Sequence, residues 1–165
     1  MVVFAAEGFG VGKIPFAPGT FGTVLGFAWI YLLLLPRSMP IYCSGIVLGF
    51  FLAVWLGDRA EKILDKTDPG SIVIDEITAM PLAFLPAVFL GQVDGTTASA
   101  ATFFTGKAML LPALTFFLFR FFDIAKPLGI ARVQKAPGGW GLVLDDYLAA
   151  LASAVLLFAY IKIAG

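Results

Sequence analysis

Five apolar runs organise the chain: Thr20 to Leu35, Ile41 to Gly57, Ile77 to Leu90, Ala108 to Phe119 with an alternative start near Ala98, and Leu148 to Ile163. Each is shorter than or close to the roughly 20 residues that a helix needs to cross a bilayer core. The second and fifth are the cleanest. The third carries Pro81 and Pro86, and the fourth carries Lys107 and Pro112, features that kink helices or mark half-helices. The pattern predicts an all-α fold: a single domain over residues 1–165, built as an integral membrane helical bundle of about five short transmembrane segments, some kinked or broken. Between the second and third runs, Asp58 to Pro69 is strongly polar, with acids and bases mixed as on a solvated helix end.

Composition supports a bilayer as part of the solvent. Apolar types make up 60% of the chain and charged types 13%, with mean hydropathy +0.96, too few charges for an ordinary aqueous surface. Eleven Lys plus Arg cancel eleven Asp plus Glu, which argues against nucleic acid as a partner, because such binding rests on excess positive charge. Cys43 is the only cysteine and there is no histidine. These absences remove a disulfide framework, Ser-His-Asp and Cys-His catalysis, histidine zinc sites and histidine phosphoryl carriers. Carboxylates, Lys, Arg and hydroxyls remain to do chemistry. Met1 to Ala6 has no basic residue and Glu7 follows, unlike a secretory signal, so this segment is expected to stay attached.

Five crossings with the N-terminus inside place Lys13, Arg59, Lys62, Lys66, Arg120, Lys126, Arg132 and Lys135 on the inner side, against Arg37, Lys107 and Lys162 outside. Positive charge concentrates on the cytoplasmic side of membrane proteins, so this bias favours that orientation.

Three polar groups then border the same predicted membrane face. The first is the loop Gly8 to Thr23, with Lys13 and several glycines, feeding the first run. It is neither a Walker A loop, since Glu7 and Ile14 stand where Gly and Ser or Thr are needed, nor a dinucleotide fingerprint, since Lys13 takes the third glycine position. It offers flexible backbone, one ammonium, and a helix start with Thr20 or Thr23 near the cap, which suits an anion. Gly22 and Gly26 read as small residues for close helix packing.

The second group is Asp75-Glu76, ahead of the third run. The third is Arg120 to Pro127 closing the fourth run, followed by Gly138-Gly139-Trp140-Gly141 and Asp145-Asp146. Both acidic doublets are expected at helix N-termini, where the macrodipole favours negative charge. Arg120 and Asp123, three apart, share a helix face. Adjacent acids on a helix point about 100 degrees apart, so each doublet is expected to give one direct ligand and one supporting residue. Converging doublets plus Asp123 make an oxygen-rich site of the kind preferred by Mg²⁺ and similar hard cations.

These stretches resemble the phosphatidylglycerophosphatase A family. Gly10 to Thr23 is similar to its N-terminal signature, Ile74-Asp75-Glu76 to its central one, and Phe119 to Pro127 with Gly138 to Asp146 to its C-terminal one. Two departures stand out: Ile77-Thr78-Ala79-Met80 where many members have a glycine, and Arg132-Val133-Gln134 where some have an acid. The resemblance implies a Mg²⁺-dependent enzyme of the bacterial inner membrane. Such an enzyme removes the terminal phosphate of the phospholipid phosphatidylglycerophosphate to give phosphatidylglycerol, with its active site at the cytoplasmic face. The reading of the residues agrees with that chemistry, with Asp75, Glu76, Asp145 and Asp146 expected as the metal ligands. Lys13, Thr20, Thr23 and Arg120 become the phosphate-binding groups, and Asp123, Arg120, Lys126 and Asp146 the catalytic ones. Asp123 either orients water or attacks phosphorus.

Other classes fit less well. A CDP-alcohol phosphotransferase needs an Asp-Gly and Ala-Arg pattern that Asp58-Arg59-Ala60 lacks. A small ion or metal transporter wants carboxylates near the membrane midplane, whereas these runs hold almost none at depth. A non-catalytic membrane scaffold would use Phe103, Phe104, Phe116 and Phe117 but leaves the polar doublets without a role.

Overall fold

The computed structural model describes residues 1–93, 100–104 and 106–164. Among the described residues, seven α-helices follow in chain order: α1 (Val2–Ala6), α2 (Pro18–Leu34), α3 (Met39–Leu64), α4 (Ile74–Val93), α5 (Ala100–Phe103), α6 (Leu110–Ala125) and α7 (Gly139–Ala164). Tighter 3₁₀ turns occupy Val11–Lys13, Gly106–Met109 and Pro127–Lys135, and there is no strand among the described residues. The alternative start near Ala98 lies outside the described residues, as do the side chains of Lys107 and Lys135.

Each apolar run is thus a helix. Among the described residues, three of these helices, α3, the Ile74–Gly91 stretch of α4, and α7, are long and apolar enough to cross a membrane. α2 has 17 residues and α6 has 16, about 25 Å of helix each against a hydrocarbon core of about 30 Å. Large apolar side chains such as Leu48, Phe51, Phe117 and Val155 stand exposed on the outer faces, the arrangement expected where lipid is the solvent. The chain is an all-α membrane protein.

α4 is the central helix, packed by α2, α3, α6 and α7, with Ala79, Met80, Ala83 and Phe84 fully enclosed. Glycines let α2 close on it. A Cβ at Gly22 would lie 2.8 Å from the Val73 Cβ, and one at Gly26 would lie 2.6 Å from Met80 Cγ, so only hydrogen fits at either place. α4 runs through both Pro81 and Pro86 as one helix. Tyr147 donates to the Thr78 carbonyl and Tyr42 to the Pro81 carbonyl, both at 2.9 Å, tying α7 and α3 to the same stretch of α4. Pro112 lies in the first turn of α6, where a missing N–H leaves no helix bond unmade.

Chain direction alternates through the bundle. α2, α4 and α7 begin near the end where α6 finishes, because Gly19, Glu76 and Arg120 meet there and Lys126, just after α6, pairs with Asp145 in the second turn of α7. The last turns of α3 reach the same end, where Gly139 packs against Val54 and Asp58. One expectation is corrected: Asp145 and Asp146 do not open a helix. α7 starts at Gly139, so both acids stand in its second and third turns and the macrodipole argument applies only to Asp75 and Glu76, in the first turn of α4. The physical reason is the glycine pair. Gly138 takes φ +59°, and a Cβ at Gly139 would strike the Val54 carbonyl and the Asp58 amide, so glycine permits a helix start pressed against α3.

Candidate active site

Asp75 and Glu76 enter from α4 and Asp146 from α7. One carboxylate oxygen from each lies within 4.8 Å of the others, and Asp75 and Asp146 are buried. Both members of the first doublet therefore reach the centre, while the second doublet divides. Asp145 turns to Lys126, which donates to its Oδ2 from the left-handed residue that ends α6. Burial pulls the Lys126 ammonium pKa down, but the hydrogen bond and charge of Asp145, with the charges of Asp146 and Asp123, outweigh it and hold it above the ordinary lysine value.

Arg120 links the helices around this centre. Its Nη1 donates to Asp123 Oδ2 at 2.5 Å across one turn of α6 and reaches Thr23 Oγ1 of α2 at 3.5 Å. Thr23 in turn donates to the Gly19 carbonyl at 2.8 Å. Gly19 stands directly against Glu76 Oε1, and a Cβ there would also come within 3.2 Å of Arg120 Nη1. Asp123 lies beside Asp146 and Glu76.

Three polar atoms in this assembly are buried without a hydrogen-bond partner: Glu76 Oε2, Asp145 Oδ1 and Arg120 Nε. Unmatched buried charge of this kind is costly unless a partner completes it. Anionic oxygens on one side call for a cation, and a guanidinium nitrogen on the other calls for an anion. Asp75, Glu76 and Asp146 could hold a divalent ion by donor type and spacing, and Arg120 and Lys126 could meet phosphoryl oxygens.

The remaining sequence-derived residues sit differently. Thr20 lies half-buried in the first turn of α2. Lys13 is exposed and lies 3.4 Å from Glu7 Oε2, whose side chain is buried. Glu7 went unremarked in the sequence as a structural residue. Its carbonyl accepts from Gly12 at 2.8 Å and Gly10 at 3.2 Å, the Ala6 carbonyl accepts from Val73 at 3.0 Å, and Gly12 is pressed on Ser71. The glycine-rich loop is a hook around the entry to α4. The available signal was a lone acid six residues before the only base of that loop.

Comparison with known proteins converges on one family. The family model for phosphatidylglycerophosphatase A matches residues 4–161. A phosphatidylglycerophosphatase A of Haemophilus influenzae is 33% identical, covering 93% of this chain and 85% of its own length. The Escherichia coli protein of that name is 30% identical, covering 93% and 79%. A Bacteroides thetaiotaomicron protein with the provisional name phosphatidylinositol-3-phosphatase is 32% identical, covering 94% and 90%. No solved structure matches. With nearly its whole length matched, the chain belongs to the phosphatidylglycerophosphatase A family of phosphoric monoester hydrolases.

Proposed function

We propose that the protein is a Mg²⁺-dependent lipid phosphatase that hydrolyses the terminal phosphate of phosphatidylglycerophosphate to phosphatidylglycerol and phosphate. We place its site at the cytoplasmic face of a bacterial inner membrane. The observation that carries this reading is the convergence of Asp75, Glu76 and Asp146 within 4.8 Å, next to two basic residues already aimed at carboxylates. A dianionic phosphate monoester repels an attacking oxygen, so hydrolysis requires its charge to be neutralised and the attacking group to be held in line. Mg²⁺, when bound, supplies Lewis-acid neutralisation of phosphoryl oxygens. Asp75, Glu76 and Asp146 hold it, with Asp145 and its free Oδ1 as support. Arg120 offers its unpartnered Nε to the phosphoryl group, and Lys126 adds a positive charge that its acidic neighbours keep protonated. Asp123, gripped by Arg120 at Oδ2, serves the nucleophile. A trapped aspartyl-phosphate on Asp123 marks direct attack, and turnover without one marks water held by it.

The test is purified protein in detergent offered phosphatidylglycerophosphate, phosphatidic acid, phosphatidylinositol 3-phosphate and a water-soluble phosphomonoester, each with and without Mg²⁺. Preferential, Mg²⁺-requiring phosphate release from the first is expected. Equal rates in chelator, or preference for the inositol lipid, would overturn the metal or the substrate assignment respectively.

A further inference from the structure

A groove of about 390 Å³ runs between α2 and α6 on the outer side of the bundle. Val24 and Phe27 form one wall, Ala113, Phe116 and Phe117 the other, and Phe104 stands at its far end against Phe27. Helical spacing ties both walls to the phosphoryl end of the candidate site. On α6, Ala113, Phe116 and Phe117 precede Arg120 at spacings of seven, four and three, so they share its face. On α2, Thr20 and Thr23 precede Val24 and Phe27 in the same way. Just beyond the groove's lining, Arg120 Nη1 reaches Thr23 Oγ1 at 3.5 Å and bridges the same two helices.

We propose that this groove is an acyl-chain subsite, holding one fatty chain of the lipid whose phosphate is presented to Arg120. The inference rests on the phosphatase reading and specifies how its substrate is held. One helical turn beyond the groove's lining stands Arg120, whose Nε is buried and unpartnered, and the groove itself is apolar and aromatic. That sequence of chemistry matches a phosphate headgroup continued by a hydrocarbon tail. Length agrees as well. From Arg120 back to Met109 at the groove's far end, α6 rises about 16 Å, close to half of a core about 30 Å thick, which is the depth of one leaflet. A second apolar groove of the same volume, about 390 Å³, is lined by Ala28 and Trp29 of α2, Leu52 of α3, Ile77 of α4 and Ala5 and Phe9 of the N-terminal hook, and serves as the competing location in the test.

The experiment compares dioleoyl with dihexanoyl phosphatidylglycerophosphate in mixed micelles. Ala113→Phe fills the groove from α6 and Val24→Phe from α2. Both positions are exposed and neither belongs to the polar machinery. Each is expected to lower kcat/KM for the dioleoyl substrate about tenfold while leaving the dihexanoyl rate unchanged. Ala28→Phe, in the second groove, is expected to change neither. Equal losses on both substrates, no loss on either, or the same selectivity from Ala28→Phe overturns the subsite. Wild-type protein that hydrolyses neither lipid overturns the phosphatase reading first, and the subsite with it.

Discussion

Gly19 stands so close to Glu76 that its hydrogen occupies the only space between α2 and the Oε1 carboxylate oxygen. Any side chain there must displace either Glu76 or Arg120 Nη1, and both belong to the polar centre. Gly19→Ala is therefore expected to lower phosphate release by more than about tenfold, since small misplacements at a reacting centre are costly. Overpacking of this kind also destabilises by about 1–3 kcal/mol. Glu76 moves with the substitution, so the Mg²⁺ concentration for half-maximal rate should rise. A Gly19→Ala enzyme with unchanged rate and unchanged Mg²⁺ response would show that this contact is ordinary helix packing.

Loss of one carboxylate from the centre should act through the metal. Asp146→Asn and Asp75→Asn keep the shape of the side chain while removing the anionic charge, and each is expected to cut turnover about 100-fold or more. Chelation of wild-type protein should stop phosphate release, with Mg²⁺ restoring it. Asp123→Asn is expected to abolish turnover with the Mg²⁺ requirement for binding little altered, because Asp123 serves the nucleophile. Size-exclusion profiles and circular dichroism in detergent check that each variant still inserts and folds.

Lys126 and Asp145 form the tie between the end of α6 and α7. Removing one partner strands a charge, and with Asp145 nearly enclosed and Lys126 only partly exposed the expected loss is about 1–3 kcal/mol, below the range for a fully buried pair. Lys126→Met with Asp145→Asn together should cost less than the two single changes summed, measured by thermal unfolding in detergent. The Lys126 pKa is raised from 10.5. The stabilisation is then present below that value and lost only as pH climbs past the raised one. The coupling energy should persist at about pH 9. Additive single changes would show that the pair contributes nothing net.

Much of this arrangement was legible from residue order. The five apolar runs became five helices, and the i,i+3 spacing of Arg120 and Asp123 became an ion pair, because both depend on local periodicity. Gly22 and Gly26 sit where close packing was expected. What was not legible depends on contacts between distant segments. The start of α7 hides in Gly138 to Gly141, a stretch that reads as loop until α3 is placed against it. The division of Asp145 from Asp146 follows from where Lys126 lies, and the burial of Glu7 follows from a hook closing on Ser71 and Val73. Lys13 spends its charge near Glu7, a pairing that six residues of separation did not announce.

The alternating helix directions make a topological prediction that can be read with thiol reagents. Cys43 stands exposed in the second turn of α3, at the end of the bundle away from the acidic centre, while Lys66 follows the other end of the same helix. In a Cys43→Ser background, a cysteine replacing Lys66 should react with a membrane-impermeant maleimide only in inside-out vesicles. One replacing Ser38, just before α3, should react only in right-side-out vesicles. The basic residues gathered around the centre support that orientation by the usual inner bias of Lys and Arg. Reaction of both positions from the same side would mean that α3 does not cross. Reaction with the sides exchanged would put the centre on the outer face and overturn the proposed cytoplasmic placement.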